Sequence, residues 1–231
     1  MSLETKELLK YSYKNKLAHI PSALSMAPYI NAVFNTRVTK DDIIVIGKPF
    51  GSQAYYLTWK KLGWIDDIES LSVGVKHDEI DFVDYSEETI GNALGVAIGL
   101  ALANPNKLVY VNLSDGALQM GNTLEAIQFI GHNNIKNIFV TVDMNNYQVT
   151  GKTTDIIDVA PVMKLCEEYS WQVGGVTGFY KDILETYFKS MTFIGKPKIV
   201  FISTIKGYEV PSMTKDPVKW HYKKLEPEDM V

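Results

Sequence analysis

The apolar positions along the chain switch repeatedly between a helical period and short continuous runs. Residues 3 to 18 carry apolar residues at helical spacing, as in an amphipathic helix. Pro21 and Ser22 mark a second helix start, and Ala23 to Phe34 continues it as an apolar helix. Asp41 and Asp42 precede the short apolar run I-I-V-I-G, a buried strand, and Lys60 to Trp64 ends a further helix. From Leu108 to Leu113 the chain is apolar and rich in β-branched residues, which suits a buried strand. Gly121 to Gly131 returns to helical spacing, and Asn137 to Val142 is the next strand. A helix over Pro161 to Tyr169, a strand in S-W-Q-V-G-G-V, a helix over Asp182 to Met191 and a strand over Ile199 to Thr204 complete the pattern. Strands that alternate with helices predict an α/β fold: a central, mostly parallel sheet with helices on both faces.

Two loops in this pattern carry candidate chemistry. Ser114-Asp115-Gly116 ends one strand and Asp143-Met144-Asn145-Asn146 ends the next. In a parallel sheet both lie at carboxyl ends, where open α/β sheets bind ligands. Asp115 offers a carboxylate, Asn145 an amide oxygen and Tyr147 a main-chain carbonyl. Hard cations such as Mg²⁺ take such oxygens and complete an octahedron with water and substrate phosphates. Gly116 lets the backbone approach a phosphate closely. Asp115 and Asn145 stand 30 residues apart, room for one helix and one strand. Taken alone, these residues also suit an ordinary βαβ unit with Asp and Asn as turn formers.

Composition narrows the classes. The chain has 231 residues, 46% hydrophobic and 22% charged, enough for a sizeable core, and we expect one domain over residues 1–231. A net charge of −4 with no long basic run argues against a nucleic-acid partner. The single cysteine, Cys166, excludes a disulfide scaffold and reads as a packed helix residue. The opening M-S-L-E-T-K-E-L-L-K is charged rather than leader-like. The apolar stretch Ala93 to Ala103 is shorter than the roughly 20 residues a bilayer needs. A cytoplasmic protein without a membrane partner is the expectation.

The segment S-D-G-A-L-Q-M-G to D-M-N-N-Y-Q-V-T-G resembles the thiamine diphosphate motif, and its wording is closest to transketolases. The resemblance implies that Asp115, Asn145 and the Tyr147 carbonyl hold a divalent metal (Mg²⁺, or Ca²⁺ or Mn²⁺) that grips the diphosphate, with Gly116 and Ala117 beside it. It extends along most of the chain. A-H-I-P-S-A-L-S-M is similar to the family's G-H-P-G-x-x-L-S-M, and V-K-W-H-Y-K-K-L to W-H-G-K. H-D-E-I, after V-K, stands near a family G-H-P, without the flanking Gly and Pro. The resemblance therefore implies substrate-facing roles for His19, His77 and His221. Three of the chain's four histidines fall on such motifs in chain order, and neutral imidazoles suit proton transfer at sugar hydroxyls.

There are departures. The family's S-K-G-H-A-S-x-A-L-Y is K-P-F-G-S-Q-A-Y-Y here, so Phe50 replaces a histidine near the diphosphate. The family's glycine-rich loop before the small-residue helix is replaced by Asp84 to Glu88, either a solvated turn or a pocket reshaped for another substrate. Glu125 matches an interface glutamate beside the cofactor or is a plain surface residue, and Met120 stands where an acid is common. The implied activity is transfer of a two-carbon ketol unit from a ketose to an aldehyde, in the making of a modified or branched sugar. The family's pyrimidine-binding and C-terminal domains have no counterpart here. The expectation is therefore a partner chain that carries the pyrimidine domain, in an α2β2 heterotetramer active only as a complex. A thiamine diphosphate-dependent 2-oxoacid decarboxylase or acyltransferase subunit, and a degenerate scaffold subunit, are the competing readings.

Overall fold

In the computed structural model, which describes residues 1–193 and 195–230, the elements follow one another as helix and strand. They are α1 (Leu3–Lys14), α2 (Ile20–Thr36), β1 (Ile43–Ile46), α3 (Gln53–Lys61), β2 (Tyr85–Ser86), α4 (Ala93–Ala103) and β3 (Val109–Ser114). After these come α5 (Gly121–His132), β4 (Ile138–Met144), α6 (Thr153–Ile156), α7 (Ala160–Glu168), β5 (Gln172–Thr177), α8 (Lys181–Ser190), β6 (Lys198–Ser203) and α9 (Pro211–Lys215). The six strands form one sheet in the order β2-β1-β3-β4-β6-β5. Every pairing is parallel, so the expected α/β architecture is what the chain adopts.

Alternate strand residues point to opposite faces, and this divides the core in two. Ile44, Ile46, Tyr110, Phe139, Val200 and Ile202 face a layer with α1, α2, α3 and α8. Ile43, Val45, Val109, Val111, Leu113, Val140, Val142, Ile199 and Phe201 face α4, α5 and α7. With both faces covered, β1, β3, β4 and β6 bury nearly all their side chains, which is why they read as apolar runs rather than alternations; β2 and β5, at the sheet edges, are only half-buried.

The first helix stops short of the expected residue 18. Asn15 caps it by bonding its N–H to Tyr11 and Tyr13, and Lys16 takes the left-handed conformation at φ 51°. Leu17 then returns its N–H to Ser12. No glycine marks this end, so composition does not reveal it. Gly131 shows tight packing directly: a Cβ there would lie 2.2 Å from the Tyr169 carbonyl oxygen. No helix among the described residues is long and apolar enough to cross a membrane.

Candidate active site

The carboxyl ends of β1, β2, β3, β4 and β6 converge on one cavity of about 480 Å³. Its wall includes Lys48 and Phe50 after β1, Glu88 and Ile90 after β2, Ser114 to Gly116 after β3, Asn145 and Tyr147 to Thr150 after β4, and Lys206 after β6. His19, at the start of α2, and His221 with Tyr222 close it.

Asp115 is 1% exposed. One carboxylate oxygen accepts from the Asn146 N–H at 2.7 Å and the Thr153 hydroxyl at 3.0 Å, and the other from the Gly116 N–H at 2.8 Å. Burial, with Asp143 nearby, holds its carboxyl above the usual range, and Lys48 opposes this. These bonds tie the loop after β3 to the loop after β4. The second loop turns through Asn146 at φ 65°, a left-handed value that Asn tolerates better than most residues.

Asn145 is held from behind. Its amide N–H donates to Asp143 at 2.8 Å. A carboxylate only accepts, so the amide can be oriented one way, with its oxygen turned away from Asp143. That oxygen accepts from the Tyr147 N–H at 3.0 Å. Asp143 is fully buried and gathers donors from separate parts of the chain: Ser25 on α2 at 2.8 Å, Lys48 after β1, Thr204 after β6, and Asn145 itself. The Lys48–Asp143 ion pair is thus a buried pin behind the loop.

Lys206, 3% exposed, donates to the Tyr147 carbonyl at 3.1 Å and contacts the Nδ1 of His221 at 3.1 Å. Burial, and then Lys48, push Lys206 down to about 8. His19 sits at φ 58°, a conformation that stores strain and is common at functional sites. Its ring stacks on Phe50 with centroids 4.7 Å apart and meets His221 edge-on at 5.0 Å. Its Nδ1 is sealed from solvent without a partner. Burial, and then the Lys206 ammonium, push His19 down to about 4 and His221 to about 3. Both imidazoles are therefore neutral at pH 7.

Of the residues singled out from sequence, Asp115, Gly116, Asn145, Tyr147, Phe50, His19 and His221 meet in this one cavity. His77, Ala117 and Glu125 do not line it. His77 is exposed beside β2, where its N–H donates to Ser86 at 3.2 Å. Ala117 is buried in the core under α4 and α5. Glu125 is exposed on α5. Of the three acids in the replaced loop, Asp84 accepts from the Ile44 N–H at 2.8 Å, and the two glutamates part ways. Glu87 is 3% exposed and caps α4, accepting from the N–H groups of Gly91 at 3.2 Å, Asn92 at 2.8 Å and Ala93 at 2.8 Å. Glu88 lines the cavity. Asp143, Lys206 and Tyr222 were not singled out as site residues from sequence. A charged residue closing an apolar strand, as Asp143 closes β4, is the one signal that could have drawn attention to the first.

The oxygen set fits a hard cation carrying a diphosphate. It joins one carboxylate, one amide oxygen turned away from Asp143 and one main-chain carbonyl on the wall of a single cavity. Residues 99–230 match the family described as transketolase, thiamine diphosphate binding domain, so the chain belongs to the transketolase family. It is 25% identical over 94% of its length to one named subunit of the apulose-4-phosphate transketolase of Phocaeicola vulgatus, and spans 85% of that protein. It is 28% identical over 79% of its length to a protein of the same name from Actinobacillus succinogenes, covering 70% of it. Against rat transketolase it is 25% identical and spans only 32% of that chain. Transketolase from Leishmania mexicana shares its fold with a TM-score of 0.81 at 19% identity, the chain matching 40% of that structure.

Proposed function

We propose that this chain is the diphosphate-binding subunit of a transketolase-like enzyme that moves a two-carbon ketol unit from a ketose to an aldehyde. One observation carries the reading: Asp115, Asn145 and the Tyr147 carbonyl share a single cavity with two neutral histidines. Asp115, Asn145 and Tyr147 would hold Mg²⁺ and through it the diphosphate; Ca²⁺ or Mn²⁺ would serve the same ligands. Thiamine diphosphate, when bound, supplies the carbanion chemistry that joins and cleaves the ketone. The chain's own residues bind, orient and exchange protons. Asp143 keeps the Asn145 oxygen facing the site. His19 and His221, uncharged at pH 7, are suited to hold substrate oxygens, and His19 can take up a proton without first losing one.

The chain matches most of the length of the apulose-4-phosphate transketolase relatives, each named as one subunit, and well under half of full-length transketolases. This supports a division of the active site between two polypeptides, the partner carrying the pyrimidine-binding domain; an α2β2 assembly is part of the same proposal. The relatives' naming for a sugar phosphate supports a sugar donor over a 2-oxoacid. We extend the proposal to a modified or branched sugar, because Phe50 and the Asp84 to Glu88 stretch depart from the family's usual sequence at this cavity.

Calorimetry tests this, with thiamine diphosphate and Mg²⁺ titrated into this chain alone and into its mixture with the polypeptide encoded beside it. Binding that needs the metal and disappears in Asp115→Ala is the expected result. Absence of binding in both samples would refute the reading and leave a scaffold role.

A further inference from the structure

With Lys206 charged, the contact between Lys206 and His221 has one sense. A lysine ammonium carries three donors and no lone pair. Its Nζ lies 3.1 Å from the His221 Nδ1, so Nδ1 must accept. A neutral imidazole has a single N–H, and with Nδ1 accepting, that hydrogen sits on Nε2. Nε2 has no protein partner among the described residues, and it is not one of the polar atoms sealed from solvent. His221 lines the cavity, and Nε2 is the nitrogen it has free to offer there.

We propose that Lys206 is a positioning residue that locks His221 into its Nε2–H tautomer, so that His221 works as a hydrogen-bond donor to the substrate and not as a base. The consequence for substrate rests on the function proposed above; the tautomer itself does not.

Lys206 is well placed for this. Its second bond, to the Tyr147 carbonyl at 3.1 Å, anchors it to the loop after β4, and burial leaves it little freedom to swing away. Gly207 follows it at φ 82° and ties the same turn to α2 through its N–H on the Pro21 carbonyl. An imidazole anchored through one nitrogen keeps its tautomer and orientation through a reaction. The burial that holds His221 uncharged supports the same assignment. His19 provides the contrast: its Nδ1 is sealed with no partner at all, so no neighbour sets its tautomer. The two histidines therefore divide the work. His221 is committed to donate toward a substrate hydroxyl or carbonyl oxygen, and His19 is left free to exchange a proton.

The test is long-range ¹⁵N–¹H correlation on the full chain labelled with ¹⁵N-histidine at pH 7, with His221→Gln to assign the ring. The expected spectrum shows a protonated Nε2 and an unprotonated Nδ1 for His221. Lys206→Met should lose that single pattern for a mixture of tautomers, and Lys206→Arg, which restores a donor, should recover it. A wild-type His221 protonated on Nδ1, or an unchanged pattern in a folded Lys206→Met, overturns the proposal. The wild-type spectrum alone can refute it if Lys206→Met fails to fold. No cofactor or partner is added, so a chain that binds no thiamine diphosphate would sink the proposed function and leave the tautomer result standing.

Discussion

Asp143→Asn removes the charge that Lys48 faces while keeping the shape of the side chain. Lys48 is 7% exposed and Asp143 is fully buried, and the Lys48 ammonium has no other hydrogen-bond partner among the described residues. Removing one member of a buried pair leaves an uncompensated charge and costs about 3–5 kcal/mol. The reverse change should be milder. In Lys48→Met the Asp143 carboxylate still accepts from Ser25, Thr204 and Asn145, so about 1–3 kcal/mol is expected. The double variant removes both charges and should fall within about 2 kcal/mol of the parent, since a buried pair replaced as a whole is often nearly neutral. Urea unfolding of the three variants, read as midpoint shifts at constant slope, measures the coupling. A single Asp143→Asn that loses less than about 1 kcal/mol, or a double variant as unstable as the sum of the singles, refutes the buried pin. Cofactor binding separates the second role of Asp143. The double variant regains stability, yet an amide at 143 no longer forces the Asn145 oxygen outward, so affinity for thiamine diphosphate with Mg²⁺ should stay low in both variants that carry Asp143→Asn.

Two further predictions concern the site's edges. Because His19 is held near 4 in the folded chain against about 6.5 when unfolded, only the unfolded chain binds its proton between those values. Stability should then be flat above about pH 6.5 and fall toward pH 4 by up to about 3 kcal/mol from this residue. His19→Asn, a residue that tolerates the left-handed backbone, should flatten that part of the curve; parallel curves in urea unfolding from pH 7 to 4 would contradict it. Asp115, raised by burial, tilts stability the opposite way in both proteins and cancels in the comparison. Glu87→Gln puts a donor against one of the α4 N–H groups that the carboxylate now accepts from. The loss should be about 1–3 kcal/mol, measured by thermal unfolding at pH 7, and an unchanged midpoint would mean the cap does not hold the helix.

Strands β1, β3, β4 and β6 were legible because they are buried on both faces and so read as uninterrupted apolar runs; β2 was not, because it is only Tyr85 and Ser86 inside the acidic stretch read as a turn or reshaped pocket. The end of α1 was not, because Asn15 and Lys16 close it without glycine or proline. Asp115, Asn145 and Tyr147 could be picked out because each follows a strand in a fixed local pattern. Asp143, Lys48 and Lys206 act through space. The order β2-β1-β3-β4-β6-β5 sets the ends of β1, β4 and β6 around one cavity, and no local spacing states that order. His77 shows the converse, a motif readable in the sequence whose side chain is exposed beside Ser86.

Phe50 joins the two levels. In sequence it is a departure, an apolar ring where the resemblance places a histidine beside the diphosphate. In the structure that ring stacks on His19 at 4.7 Å, and the His19 Nδ1 beside it has no partner. A polar side chain at 50 could have bonded to a phosphate or to that nitrogen. Phenylalanine can do neither, and in exchange it packs against a histidine that its own left-handed backbone strains. Phenylalanine thus gives a firm apolar hold on the ring of His19, and leaves the tautomer of that ring to be decided by what enters the cavity.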